Sequence, residues 1–572
     1  TVPLREGGNL LVALARKANG NTGSASLEVT RDVVAPIVRI QSPANGFVSA
    51  APSLAVSGQV NDSVTGGIPT EVRVNGRLAL VSGGAFLLDS LPLQPGDNTL
   101  DVVAFDAAGN TGADRITVRY QPSLGRHLEV VSGNGQLGAL SSPLPQPLVV
   151  AVLDAAGNPV PAQPVSFRVS RNSGSLAAQP GDSPRRTLQL YSDANGQARA
   201  FFTLGDSAGA GTQRVTVSAL GAAGELELCA TGLAGEPAKI VMTMGDNQRG
   251  AVGRPLPVPL EALVLDSDGN PVPGVLVRFQ VEKGGGNLDG APTLTRTTGL
   301  DGRARVAFTL GFAPGIAAHV VSAAVEGLDG LPASFTESAL VPGDPAQTRF
   351  SGVVVDNSLQ PIPGAEVSIL GAPAPAITDE QGRFTLTQVP VGLVHLHIDP
   401  SGSPRPETFP PLAFETVTVA GVDNQLAQPI ALPVVDTAGS RIVGGDQDVT
   451  LTMAGVEGAS LTVFAHSVTC PDGSHTCRVA LSQVQLDKVP MAPPAGSMFL
   501  PPAWTVQPHG VTFDPPARVT VPNNGLPPGR VVEIEQFDHE LNRFISVGQG
   551  TVSEDGSLIT SDPGFGVQRA GW

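Results

Sequence analysis

Gly205-Asp206-Ser207-Ala208-Gly209 has the G-x-S-x-G spacing that presents a nucleophilic serine when a strand turns sharply into a helix. That chemistry also needs an oxyanion hole and a histidine within reach of the serine. Here Ala210-Gly211-Thr212-Gln213 follows, and then the alternating Val215 and Val217, so a turn between two strands is expected. Gly133-Asn134-Gly135-Gln136-Leu137-Gly138 has the G-x-G-x-x-G spacing of a dinucleotide turn, but Pro143, Pro145 and Pro147 exclude the long helix such a turn must open. Asp266, Asp268 and Asn270 place side-chain oxygens at alternate positions, as a calcium loop does. An EF-hand loop needs Gly sixth and Glu twelfth, whereas Gly269 is fourth and Val277 twelfth, so a hairpin turn is expected. His395 and His397 share one face of a strand with no third ligand nearby, which reads as a solvated face. The other histidines, His127, His319, His466, His475, His509 and His539, are dispersed. Glu533, Glu535, Asp538 and Glu540 read as a polar face and a turn.

Cys470 and Cys477 bracket a turn-rich Pro-Asp-Gly-Ser-His-Thr loop and could close as a small disulfide hairpin, while no second cysteine pair is available for a zinc site. Cys229 lies in an alternating stretch and reads as a small buried residue. The chain of 572 residues is too long for one hydrophobic core. Its formal charge of −17, with basic residues scattered, disfavours nucleic acid and anionic membrane surfaces as partners. No apolar run is long enough to span a bilayer. Gly and Pro are abundant (68 and 52), yet 41% of residues are hydrophobic and alternate with polar ones, the pattern of many short strands joined by turns.

Internal repeats organise those strands. Residues 3–9 and 18–23 recur at 92–98 and 107–112, both at an offset of 89. Residues 1–33 therefore read as the last strands of a truncated module whose complete copy is 34–121, and the chain as a piece of a longer precursor. Val38, Ile40, Leu54, Val56, Val72, Val74, Leu100, Val102, Ile116 and Val118 carry the period-2 pattern of half-buried strands in that copy. Leu153–Pro161 recurs as Leu265–Pro273, and Pro143–Leu148 as Pro255–Leu260, both at an offset of 112. Two modules follow, 122–235 and 236–343. The sister copies lack the middle glycine of the G-x-G-x-x-G motif (Asn247) and the serine of the G-x-S-x-G motif (Gly311-Phe312-Ala313-Pro314-Gly315), which argues against both chemistries.

The D-x-x-G-N-P-V turn and the later entries at Ser192–Ala198 and Thr298–Ala304 resemble the bacterial Ig-like domains of the invasin and intimin type. The Pro-Ile-Val-x-Ile opening and Asp-x-x-Gly-Asn hairpin of 34–121 are similar to other bacterial Ig-like repeats. Residues 344–435, with Gly352–Asp356, Pro361–Ile369, Thr378–Leu386 and Val389–Gly392 in order, resemble the carboxypeptidase regulatory-like (transthyretin-like) β-sandwich, which implies a non-catalytic unit. Residues 436–572 form a C-terminal β domain, whose Ser561–Trp572 ending resembles the segment preceding YD-repeat (RHS-type) shells.

The expectation is an all-β chain of tandem Ig-like β-sandwich modules in an elongated array. At about 3.3 Å per residue, with loops, five modules end to end would reach the order of 200 Å. Junctions such as Leu340–Pro345 would limit bending. The implied function is a non-catalytic structural or adhesive stalk or fibre segment of a bacterial extracellular surface protein. The alternative is an accessory stalk of a larger YD-repeat toxin-delivery protein or secreted enzyme. Partners would be proteins, either neighbouring copies or a surface receptor. No catalytic or cofactor-binding residue is assigned, and Ca2+ at module junctions is the one metal an acidic array leaves room for. Trp504, in Pro501-Pro502-Ala503-Trp504, is the one tryptophan or tyrosine placed in an irregular, exposed segment, which speaks against glycan binding.

Overall fold

The computed structural model describes the chain except residues 1–3, 5–6, 17–21, 63–70, 123–124, 329, 427, 485–502, 539–542 and 572. His539, Glu540, Pro501, Pro502 and Trp572 therefore lie outside the described residues, as do parts of the 3–9 and 18–23 repeats. Among the described residues there is no α-helix. Two 3-10 turns, Pro345–Gln347 and Pro400–Gly402, interrupt an otherwise all-β chain.

Gly7–Arg16 and Thr22–Arg31 form an antiparallel hairpin whose register, Gly7 opposite Arg31 through Arg16 opposite Thr22, is repeated 89 residues on by Gly96 opposite Tyr120 through Phe105 opposite Thr111. The later hairpin belongs to a sandwich (37–120) in which a four-stranded and a five-stranded sheet face each other. Val38, Val56, Val72, Val74, Leu100, Val102 and Val118 fill its centre, with Ile40, Leu54 and Ile116 packed at its margin. These are the alternate positions of the strands, so one face of each sheet goes inward and the other stays in solvent.

The next two sandwiches (127–233 and 239–340) have the same five-stranded sheet. In the first, Gln136–Ala139, Leu226–Leu233, Gly209–Ala219, Pro164–Arg171 and Thr187–Tyr191 lie side by side; in the second, Arg249–Ala251, Ala333–Leu340, Gly315–Val325, Leu276–Lys283 and Thr293–Thr297 do. Each has its own apolar centre, around Phe167 and Phe202 and around Phe279, Phe308 and Phe335 respectively. A fourth sandwich (349–432) pairs Arg349–Asp356 with Arg383–Thr387 and Glu366–Ile369 with Gly392–Asp399. The terminal domain (441–569) is built on Thr512–Pro522, which pairs with four other strands, and Cys470 is joined to Cys477 within it.

The modules do not run end to end. The terminal domain folds back to touch each of the four sandwiches before it. Asn61 Nδ2 donates to Ser546 O (2.8 Å), Arg171 meets Asp562 (2.7 Å), Arg530 Nη2 donates to Asp268 O (3.2 Å), and Val484 and Phe537 pack into the apolar centre of the fourth sandwich. The chain is all-β with tandem modules, as expected, and only the end-to-end length of order 200 Å is corrected by these contacts. Nothing in a strand's period registers a contact made by the outward faces of modules hundreds of residues apart. Trp504 is corrected too. It lies on the strand Ala503–Gln507, partly buried against the terminal domain's own centre.

Candidate functional site

Of the residues that looked chemical, the Gly205–Gly209 loop and Asn270 are brought to a joint between modules, and the rest shape single sandwiches. In the second and third sandwiches the first strand leaves one sheet and enters the other, and the G-x-G-x-x-G segment is the crossing point: His127–Ser132 pairs in one sheet and Gln136–Ala139 in the opposite one. Gly133 crosses at φ 91°, and a Cβ there would lie 2.3 Å from Pro147 O. Gly245, its sister, has φ 92° and the same 2.3 Å approach to Pro259 O. Only glycine fits both. The crossing is fixed by a glutamine. Gln136 Nε2 donates to Gly133 O and Gln146 O while its Oε1 accepts from Gln146 N, and Gln248 repeats all three bonds with Gly245 and Val258. The shared glutamine at the 112-residue offset was the signal that a search for nucleotide glycines passes over.

The aspartates of calcium-like spacing belong to a turn that recurs in four sandwiches. Asp106, Asp154, Asp266 and Asp356 each accept from a backbone N–H four residues on, at 2.8–2.9 Å. The position before that donor has positive φ: Gly109 at 91°, Gly157 at 80°, Gly269 at 85° and Leu359 at 62°. The backbone hydrogen bond from Asn158 holds the Asp154 carboxyl below its ordinary range. In the third sandwich, Asp266 Oδ1 takes the N–H groups of Asp268 and Asn270, and Oδ2 takes those of Gly235 and the Asn270 amide. Asp266 is thereby engaged by the chain itself rather than directed at a cation.

Asn270 reaches from this turn to the Gly205–Gly209 loop. Its Nδ2 donates to Asp206 O (2.9 Å) and its Oδ1 accepts from Ala208 N (2.9 Å), tying the third sandwich to the second. Within the loop, Gln213 Oε1 accepts from Gly205 N (3.0 Å) and Gln213 Nε2 donates to Ser207 O (2.8 Å). Ser207 is buried, and its hydroxyl donates to Asp206 (3.4 Å). The strand Gly209–Ala219 follows directly, so no nucleophile elbow is built. Asp206 accepts from the Ser173 hydroxyl (2.6 Å) and pairs with Arg530 of the terminal domain (2.7 Å). Burial pushes its carboxyl up, but Ser173 and Arg530 outweigh that and hold it below the ordinary range. On the far side, Gly209 lies against Gly83 of the first sandwich. One loop of the second sandwich thus meets three other modules.

Residues that no spacing pointed to complete the joint in a second cluster. Arg171, its side chain 11% exposed, pairs with Asp562 (2.7 Å) and donates to Gln549 Oε1 (3.1 Å). Arg214 pairs with Glu227 (3.3 Å) and donates to Gln41 Oε1 of the first sandwich (3.2 Å), and Gln41 in turn donates to Asp562 (3.4 Å). Beneath it Leu87, Ala210 and Cys229 form a small apolar contact between the first two sandwiches. Burial pushes the Cys229 thiol up to about 12, so it is an inert packing group at neutral pH.

Elsewhere, His395 Nε2 lies 2.9 Å from Glu415 on the adjacent strand, and His397 is exposed two residues on. Glu533 is exposed, and Glu535 is half-buried on the same strand. Among the described residues, one group has the oxygen donors of a hard-cation site: Asp32, Asp62 and Asp106 each bring a carboxylate oxygen within 4.8 Å of the others. It lies where the N-terminal hairpin joins the first sandwich, with Asp62 and Asp106 buried. The Asn110 amide is already seated there, donating to Asp106 Oδ2 (2.8 Å) and Asp32 O (3.1 Å).

Residues 349–428 match the family model of the carboxypeptidase regulatory-like domain, and residues 36–121 match that of glucodextranase domain B. No curated protein matches the chain. Among solved structures, the Escherichia coli adhesin FdeC is 18% identical over 53% of this chain and 97% of its own, with a TM-score of 0.20. The bacterial integrin-binding protein invasin is 13% identical over 73% of this chain and 82% of its own, with a TM-score of 0.23. The Yersinia pseudotuberculosis adhesin InvE is 18% identical over 37% of this chain and 58% of its own, with a TM-score of 0.18.

Proposed function

We propose that the chain is a non-catalytic, load-bearing or adhesive segment of an extracellular bacterial surface protein, acting through protein partners. The observation that carries this reading is the fate of the chemical-looking motifs. The glycine crossing and the aspartate turns are occupied in shaping single sandwiches, the serine loop is occupied in joining several, and their polar groups are bonded within the chain. The matched carboxypeptidase regulatory-like family is a non-catalytic unit, consistent with this. The Cys470–Cys477 disulfide fits an oxidising compartment outside the cytosol. Among the described residues no helix is long and apolar enough to cross a membrane.

A load-bearing array should fail one module at a time. Stretched between its ends in a force spectrometer, the chain is expected to give five separate unfolding events. At roughly 3.5 Å per residue, each should release about 30–45 nm of contour length. One all-or-none event, or loss of the modules before any measurable force is reached, would remove the structural reading.

A further inference from the structure

The terminal domain is held in two ways that differ in kind. Toward the fourth sandwich the joint is apolar: Val484 and Phe537, 5% and 3% exposed, belong to the same cluster as Phe350, Phe384 and Phe414, with Ala503 and Phe544 packed alongside. Toward the first three sandwiches the contacts are polar. They are Arg171–Asp562, Arg530–Asp206, Arg168–Glu554 (3.5 Å), Asn61 to Ser546 O and Arg530 to Asp268 O, and no apolar cluster of the described residues spans that face. The two kinds of joint respond differently to separation. Parting the apolar joint exposes phenylalanine to water with nothing gained in return. Parting the polar face returns each ion to water, which recovers the desolvation cost that a buried pair carries and leaves the two states close in free energy. Polar faces within a chain also behave as transient interfaces do.

We propose that this face is a releasable clasp. The terminal domain, moving with the fourth sandwich to which Phe537 fixes it, closes onto the first three sandwiches through the Arg171–Asp562 and Arg530–Asp206 pairs. When the face parts, the folded-back chain becomes an extended one. The joint on which the pair of modules turns is the 340–345 segment, where the third and fourth sandwiches are linked by few bonds. One is Gly343 N to Ala420 O (2.8 Å), and another is the half-buried Arg249, whose Nη2 donates to Gln425 O (3.1 Å). Complementary charge sets the docking: Arg168, Arg171 and Asp206 on one side meet Glu554, Asp562 and Arg530 on the other. A stalk segment of this design has a short form and a long form without unfolding any module.

Small-angle X-ray scattering of the intact chain tests this. A closed array approaches the roughly 25–35 Å radius of gyration of a compact chain this long, whereas a rod of order 200 Å gives about 55 Å. The native chain is expected near the compact value. Arg171→Glu with Arg530→Glu should raise the radius by half or more, with far-UV circular dichroism unchanged. Adding Asp562→Arg and Asp206→Arg should return it toward the compact value. If Arg171→Glu prevents folding, Arg530→Glu with Glu554→Arg, on the more exposed part of the face, asks the same question. An extended native chain, or folded charge-reversal variants that stay compact, would overturn the proposal.

Discussion

Glu337 is a carboxyl that the third sandwich keeps protonated, and replacing it with glutamine should stabilise that module in a pH-dependent way. The side chain is fully buried on the strand Ala333–Leu340. Its Oε2 accepts from Gln248 N (2.6 Å), the residue that fixes the strand crossing, while its Oε1 has no hydrogen-bond partner. Burial, with Asp246 nearby adding negative charge, pushes the group up to about 9 from an ordinary 4.5. His319, opposite it in the register, is itself shifted downward by burial and brings no compensating positive charge at neutral pH. The folded chain therefore binds a proton that the unfolded chain releases, so stability is complete below pH 4.5 and falls as pH rises toward 9. At pH 7 the loss is 2.5 pH steps at 1.36 kcal/mol each, about 3 kcal/mol. Glu337→Gln keeps the acceptor for Gln248 and removes the proton uptake. Hydrogen exchange of the slowest amides in peptides from 239–340, read in the intact chain, should show protection rising about 300-fold at pH 7. Native and variant chains should coincide at pH 4. A gain that does not depend on pH, or a loss of protection at pH 7, would refute the reasoning. The second sandwich is the natural control, since the corresponding strands pair Gln213 with Ala230.

Two further outcomes follow from named positions. Leu359 stands at φ 62° where the other three turns have glycine, so Leu359→Gly should stabilise the fourth sandwich by about 1 kcal/mol, seen as a rise in its melting transition by calorimetry. Glu261 gives the opposite pH slope to Glu337 within the same module. Burial pushes it up, but Arg305 and Arg303 together with the Thr243 hydroxyl bring it down to about 2. Its contribution, about 3 kcal/mol, is present above pH 4.5 and is lost as pH falls toward 2, so Glu261→Gln should flatten the acid limb of denaturation for peptides from 239–340.

The strands and their inward faces were legible because a period of two and the repeat offsets are local properties. The alternation at Val72 and Val74 or Leu100 and Val102 needs no knowledge of the rest of the chain. The same holds for the motifs read as turns, since a strand pattern after Gly209 already excludes a nucleophile elbow. What could not be read was which turn touches which module. Arg171 and Asp562 are 391 positions apart, and each is an ordinary charged residue within a polar strand end; only the closed arrangement makes them partners. Trp504 was misplaced for a related reason. Two prolines before it suggested an irregular segment, yet proline is tolerated where a strand begins, and the strand starts at Ala503.

The repeats also show how a module becomes a joint. The second and third sandwiches share the glycine crossing, the glutamine tie and the aspartate turn, but they differ at the loop after the Gln197–Thr203 strand and its counterpart. Gly205–Gly209 has Asp206, which binds Arg530, and it receives Asn270 from the next module. Gly311–Gly315 has Phe312 in the matching place, 83% exposed, and His319 in place of Gln213 as the acceptor for the Gly311 N–H. The scaffold bond to the loop's first glycine is kept in both, so the loop's shape does not depend on what it contacts. All three middle residues differ, and the second is the one that reaches out: Asp206 pairs with Arg530 of the terminal domain, while Phe312 has no charge to offer it. In an array of near-copies, part of the docking address is therefore written at one loop position on a common frame, beside a serine that has the spacing of a catalytic motif and none of its surroundings.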